Sequence, residues 1–344
     1  MFLLTSPYLL TAYGVKEGKK NIEPVGLQCE YLHNPSGLDI PHPRLSWKMG
    51  TTVAVRGQRQ TAYQVLVASS RELLDKEQGD LWDSGQVHSD ESVHIVYDGK
   101  TLITGQKCFW KVRLADEQGN WTSWSEPAYW QMGLFADDWS AHWIGSAEME
   151  SQSVGGRPVD NKMFDPWFRK TFTLTESLKE ALIYVASIGY HELYVNGCKI
   201  GNAVLAPSVT DHKSRARYVT YDISHYLKKG ENVIALWLGT SWAVFPAYQR
   251  NDKPAIPMAL AQAEITLTSG SKVRVITDGS WKTHASPNVL MGYWDAHHFA
   301  GEFYDASLEI NGWNEAGFDD SEWAEAKVYQ PQIMVSADKT ESNL

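Results

Sequence analysis

In Cys108-Phe109-Trp110-Lys111-Val112-Arg113-Leu114, the side chains of Cys108, Trp110, Val112 and Leu114 alternate with those of Phe109, Lys111 and Arg113. A period of two is that of a β-strand with one buried and one wet face. Tyr63, Val65 and Val67 repeat the pattern against Gln64, Leu66 and Ala68. Turn signals separate such runs at Asp83-Ser84-Gly85, Asp98-Gly99 and Gln118-Gly119-Asn120. The one helix predicted here, Arg71–Glu77, is short. Residues 24–134 therefore predict a small β-sandwich, with Trp47 and Trp110 filling its core. Residues 1–23 are expected to be poorly structured, with the polar Gly14–Asn21 separating the start of the chain from the sandwich.

The segment Phe135–His142, broken by Asp137-Asp138, reads as a boundary. Beyond it, residues 139–330 predict a larger all-β body. Its strand candidates are Ala181–Ala186, Leu193–Val195, Arg217–Tyr221, Asn232–Leu238, Ala261–Leu267 and Val273–Thr277. Val233–Leu238 is apolar on both parities, which places it in the middle of a sheet covered on both faces. Asn196-Gly197 between two strand-like runs predicts a two-residue hairpin turn, because the turn that matches strand twist needs positive φ at both positions. Many short strands in this space fit a jelly-roll-like double sheet. Residues 151–160 (SQSVGGRPVD) read as an insertion loop and 331–344 as a polar, frayed tail.

Composition narrows the function. The 344 residues are 43% hydrophobic and 21% charged, the balance of a globular chain. A formal net charge of −10 and the absence of a basic tract argue against a nucleic-acid partner. No apolar run reaches the ~20 residues of a membrane span. Met1–Tyr13 is moderately apolar but lacks a preceding Lys or Arg, carries Pro7 and has no clear small-residue cleavage site. It amounts to a weak or eroded secretion signal, which leaves the compartment open, a periplasmic or extracellular one included. The three cysteines, Cys29, Cys108 and Cys198, have neither disulfide-framework nor metal-finger spacing and are expected to be buried thiols. Fifteen tryptophans stand out, and such rings either fill cores or form platforms for sugars and partner surfaces.

Several motifs occur in a fixed order. Gly189-Tyr190-His191-Glu192-Leu193-Tyr194-Val195-Asn196-Gly197 is followed by Lys199-Ile200-Gly201 and Leu205-Ala206-Pro207. Next come Thr210-Asp211, Tyr218-Val219-Thr220-Tyr221-Asp222-Ile223 and Lys229-Gly230-Glu231-Asn232-Val233-Ile234. Gly301-Glu302-Phe303-Tyr304-Asp305-Ala306, Gly312-Trp313 and Gly317-Phe318-Asp319-Asp320-Ser321-Glu322-Trp323 complete the series. This series resembles the N-terminal sandwich domain of bacterial α-L-rhamnosidases. Arg44-Leu45-Ser46-Trp47, Leu81-Trp82-Asp83-Ser84-Gly85 and Trp124-Ser125-Glu126 resemble the fibronectin type III-like domain that precedes it in that family. The resemblance covers about residues 24 to 335. It implies a fibronectin type III-like sandwich followed by a jelly-roll-like one. It also implies that bond cleavage belongs to an (α/α)₆ barrel, whose helical pattern is not found after Trp323.

No catalytic residue is therefore assigned. Glycoside hydrolysis needs two carboxylates about 5–9.5 Å apart. Glu302 and Asp305 fall on opposite faces if their segment is extended, and Asp319, Asp320 and Glu322 read as a solvated loop or edge. His297-His298 near Asp295 is the best metal candidate, but adjacent strand residues point apart. Val195, where a carboxylate would be wanted before Asn196, offers no ligand for the calcium ion attributed to some sandwich domains of the family. Neither a metal nor another cofactor is predicted. The candidate sugar-binding residues are Asp211, Trp242, Tyr248, Arg250, Trp294 and Asp295, which combine apolar ring faces with planar polar groups. The same aromatics could instead be core or pack against the catalytic barrel. Three readings thus stand. The chain is a non-catalytic accessory or carbohydrate-binding portion with a rhamnose-containing glycan and the barrel as partners; or it is part of an active rhamnosidase; or it is a purely structural interaction protein.

Overall fold

The structure, a computed structural model, describes residues 22–51, 56–293, 300–338 and 340–341. Trp294, Asp295, His297 and His298, singled out in the sequence, lie outside the described residues, as does most of 1–23.

The first sandwich places a sheet of Ile22–Cys29, Arg44–Thr51 and Ile95–Val96 against a sheet of Trp82–Asp83, Ala62–Ala68, Lys107–Ala115 and Ala128–Gln131. Cys108, Trp110, Val112 and Leu114 are fully buried between them, with Trp47, Tyr97 and Trp130. The alternate face is less wet than a period of two predicts. Leu66 and Ala68 pack against Leu74 of the helix Arg71–Asp75. Lys111 donates its Nζ to the Leu74 carbonyl at 2.7 Å. Arg113 lies 4.7 Å from the Trp124 ring centroid. Long cationic side chains cover apolar surface with their stems while their charge meets a carbonyl or a ring. The helix starts where the Ser70 Oγ accepts the Leu73 N–H and stops two residues short of expectation, where Glu77 takes a φ of 57°.

The second body stacks two seven-stranded sheets. One runs Cys198–Lys199, Tyr190–Val195, Gly230–Gly239, Lys162–Leu174, Lys282–Met291, Gly301–Tyr304, with Ala324–Glu325 beside Lys282–Met291. The other runs Lys327–Tyr329, Trp143–Gly145, Met258–Leu267, Leu178–Ile188, Arg215–Asp222, Met334–Ala337, with Lys272–Ile276 beside Met258–Leu267. The run that is apolar on both parities does lie inside a sheet. Ile234, Leu236 and Leu238 enter the main core, while Ala235 meets a layer of Trp167, Trp313 and Trp323 on the opposite face. Trp167 stacks on Trp313 with centroids 4.5 Å apart and planes 12° from parallel. Beneath this layer the fully buried Arg169 pairs with Asp320 and donates to the Glu315 carbonyl. Asp320 is thus no merely solvated acid, which corrects the expectation for its loop.

The Asn196-Gly197 turn takes φ values of 49° and 85°, with Val195 opposite Cys198. Cys198 is exposed there, unlike the buried Cys29 and Cys108, so the uniform burial expected of the thiols fails at this hairpin end. The two sandwiches meet closely. The Tyr218 hydroxyl donates to the Leu134 carbonyl at 2.9 Å, and a Cβ on Gly133 would stand 2.3 Å from that hydroxyl. The tail does not fray at once. Met334–Ala337 pairs in parallel with Arg215–Tyr218, and Asp338 accepts the Ser208 N–H at 2.7 Å. The open edge of Arg215–Asp222 offers backbone groups that a polar strand can satisfy. Residues 151–160 are likewise not a plain loop, since Ser153–Val154 and Arg157–Pro158 form a small hairpin.

Candidate ligand-binding rim

The loop that leaves the central strand is anchored at its root. Thr240 donates both N–H and hydroxyl to Oδ1 of Asp165, at 2.6 and 2.5 Å, and Asp165 Oδ2 accepts from Asn288 at 2.6 Å. Burial outweighs these bonds and raises the Asp165 carboxyl to about 6. Two 3₁₀ turns follow, Ser241–Val244 and Pro246–Tyr248, with Ala243 and Val244 buried beneath them. Gln249 staples the turns by donating to the Ala243 and Phe245 carbonyls at 2.9 and 2.8 Å.

This packing turns three rings toward one another. Trp242 lies 5.3 Å from Phe245 and 6.0 Å from Tyr248, and Phe245 lies 4.9 Å from Tyr248. The Trp242 indole N–H donates to the Tyr190 hydroxyl at 2.8 Å. Trp242 and Tyr248 are both half-buried, so each is part packing and part surface.

The loop before Arg215–Asp222 closes the rim from the other side. Asp211 is exposed and accepts the Lys213 N–H at 3.0 Å. His212 beside it is buried with its ring 5.8 Å from Tyr248. Arg250 reaches across to the Lys213 carbonyl. Its guanidinium also grips Asp252 through two bonds of 2.7 Å, which hold the Asp252 carboxyl well below the usual carboxylate range. The structure therefore brings Asp211, Trp242, Tyr248 and Arg250 into one loop cluster, with Arg250 already committed to an acid. Trp294 and Asp295 fall outside the described residues. Tyr293, just before them, has its ring 5.1 Å from the Arg157 guanidinium on the small hairpin.

His212 was expected beside Asp211 on this rim, but Lys253 was not legible as a member of the cluster. Lys253 is 7% exposed and His212 is 4% exposed. Lys253 Nζ and His212 Nδ1 find no hydrogen-bond partner among the described residues, and Gln249 Oε1 is in the same position. Burial lowers Lys253 to about 8 and His212 to about 4. Lys253 carries no sequence signal, because lysines in polar loops are ordinarily solvated.

Three of the five acids weighed for catalysis are engaged elsewhere. Asp305 caps the turn Ala306–Leu308 through Ser307, Asp319 accepts the Ser321 N–H at 3.0 Å, and Asp320 holds Arg169. Among the described residues no group of three or more His, Cys, Asp or Glu side chains could hold a metal ion. No helix among them is long and apolar enough to cross a membrane.

Comparison with known proteins accounts for most of the chain. Residues 176–343 match the α-L-rhamnosidase N-terminal domain, and residues 24–136 match the Rha78A-like N-terminal immunoglobulin domain. An α-L-rhamnosidase of Formosa agariphila is 31% identical over 320 residues, which cover 87% of this chain and 33% of that protein. The solved α-L-rhamnosidase of Dictyoglumus thermophilum superposes with a TM-score of 0.79 at 34% identity, over 91% of this chain and 35% of that one. The Streptomyces avermitilis α-L-rhamnosidase, solved with L-rhamnose, shares the fold with a TM-score of 0.78 at 22% identity, over 93% of this chain and 46% of that one. An all-β chain of two abutting sandwiches with these matches is an accessory portion of the glycoside-hydrolase kind. More particularly, it is built from the N-terminal modules of the α-L-rhamnosidase family, and it spans about a third of the length of the curated relatives it matches.

Proposed function

We propose that this chain braces the catalytic part of a longer α-L-rhamnosidase-type hydrolase and holds a rhamnose-containing glycan at the rim formed by Asp211, Trp242, Tyr248 and Arg250. The carrying observation is that rim itself. Two half-buried rings 6.0 Å apart, on a loop pinned at its root by Asp165, stand beside the exposed Asp211 and the half-buried Arg250. Pyranose rings offer apolar faces for such rings and hydroxyls for such polar groups. The engagement of Asp305, Asp319 and Asp320 in structural bonds favours an accessory role over a cleaving one. The test is titration of tryptophan fluorescence with L-rhamnose. Saturable quenching that weakens in Tyr248→Ala supports the reading, and a flat response at millimolar sugar overturns it. Release of 4-nitrophenol from an aryl α-L-rhamnoside by this chain would overturn the accessory role.

A second surface favours the bracing half of the reading. Phe303, Tyr304 and Leu308 are 56%, 45% and 58% exposed along the sheet edge Gly301–Tyr304 and the turn after it. Phe303 and Tyr304 project from opposite faces of this edge strand, and exposed apolar side chains at a sheet edge mark an interaction surface. Phe303→Asp is expected to leave the unfolding of this chain unchanged while weakening its association with a separately produced catalytic portion. Unchanged association would remove this surface from the reading.

A further inference from the structure

Lys253 stands where a lysine is costly. Its Nζ is buried and without a partner among the described residues. Its nearest acid along the chain, Asp252, is already taken by Arg250 through two bonds and by the Gln332 N–H at 3.0 Å. Arg250 and Asp252 pair at the surface, so the buried Lys253 ammonium has no acid bonded to it. An uncompensated buried charge is unfavourable until an opposite charge joins it. His212 adds a complementary vacancy of hydrogen bonding. Its Nδ1 is buried and has no hydrogen-bond partner among the described residues. Tyr248 packs edge-on against His212 and forms the more exposed end of the same group.

We infer that the rim takes an acidic sugar, its carboxylate accepting from Lys253 Nζ, one hydroxyl hydrogen-bonded to His212 Nδ1, and its ring lying against Tyr248 and Trp242. A neutral sugar would supply the hydroxyl and the ring face but would leave the ammonium uncompensated. Tyr248 is the ring packed against His212, so its rotation is the movement that would open that side of the rim. This inference rests on the sugar-binding reading above and names the class of residue within the glycan, a uronate, that the site selects.

The experiment is calorimetric titration of the whole chain with sodium D-glucuronate, with D-glucose as its neutral counterpart, with sodium acetate as the bare anion, and with L-rhamnose. Glucuronate is expected to bind at least tenfold more tightly than glucose, and more tightly than acetate. Lys253→Met keeps the apolar stem and removes the charge, so it should fold at least as stably as the parent and lose the preference for glucuronate. His212→Gln should weaken glucuronate and glucose alike. Equal affinity for glucuronate and glucose, or a preference that survives Lys253→Met, overturns the inference. Acetate binding as tightly as glucuronate overturns it too, because the site would then be a simple anion site. If L-rhamnose binds while glucuronate shows no advantage, only the acidic-sugar inference falls. If none of the sugars binds, the sugar-binding reading falls with it.

Discussion

Asp165 and Thr240 are joined by two hydrogen bonds to a single carboxylate oxygen, from the Thr240 N–H at 2.6 Å and its hydroxyl at 2.5 Å. The pair ties the bulged strand Lys162–Leu174 to the root of the rim loop. Asn288 holds the second oxygen, so the carboxylate is satisfied but deeply buried.

Asp165 should make the fold more stable in mild acid. Its folded value of about 6 lies above the ordinary 3.8, so the folded state holds a proton that the unfolded state has released between those values. Stability from this group therefore rises as pH falls from 6 towards 4, by about 1.4 kcal/mol per pH unit at most. Asp165→Asn removes the titration and can keep the bonds, because the Asn288 amide can turn to present its oxygen. Asp165→Ala loses all three bonds and should cost about 3 kcal/mol. Chemical unfolding at pH 4.5 and 7 checks both variants, and an Asn variant with the parent's pH dependence would refute the assignment.

His191 should act in the opposite sense. It is buried between Ser187 and Tyr221, each 3.0 Å from a ring nitrogen, and burial lowers it from 6.5 to about 3. The unfolded chain takes up a proton below pH 6.5 that the folded chain refuses, so stability falls as pH drops from 6.5 towards 3. The two groups offset each other between pH 6 and 4. His191→Gln should leave the Asp165 slope exposed, giving a protein whose stability rises on mild acidification. Asp165→Asn should show the reverse, and like slopes in the two variants would contradict the scheme.

Arg169→Met is expected to destabilise the second sandwich by about 3 kcal/mol, since it strips the Glu315 carbonyl and Asp320 of their buried partner. Asp320→Asn should cost at least as much, because it leaves the wholly buried Arg169 without its counter-charge, whereas the carboxylate left by Arg169→Met is a quarter exposed. Unfolding of both singles and the double variant gives the coupling, and strict additivity would deny the pair.

Gly197→Val should cost about 2 kcal/mol, because a β-branched residue at a φ of 85° is strained and its Cβ would press on Glu315 at 3.0 Å. Sugar titrations should be unaffected, since the turn follows Val195 while the rim loop starts at the other end of that strand, where Tyr190 pairs with Gly239. A melting temperature equal to the parent's would reject the turn assignment.

The strands were legible because burial imposes a period of two on a chain that contacts its core every second residue. Val233–Leu238 announced a doubly covered strand, and Asn196-Gly197 its hairpin, from spacing alone. The wet face expected for Lys111 and Arg113 was misread, because what covers it comes from Leu74 and Trp124, outside that strand. Asp211, Trp242, Tyr248 and Arg250 were legible as ring-and-polar combinations, but not the prior commitment of Arg250 to Asp252.

Local pattern by itself determined the all-β class, the central strand and the tight turn, since propensity, alternation and turn chemistry act over a few neighbouring residues. Only the tertiary structure decided that Trp167 lies between Trp313 and Trp323, that Asp320 answers Arg169, and that Lys253 is sealed without an acid to itself. Those outcomes depend on which distant segments the sheets bring together, and the energy of a buried charge is set by what surrounds it in space.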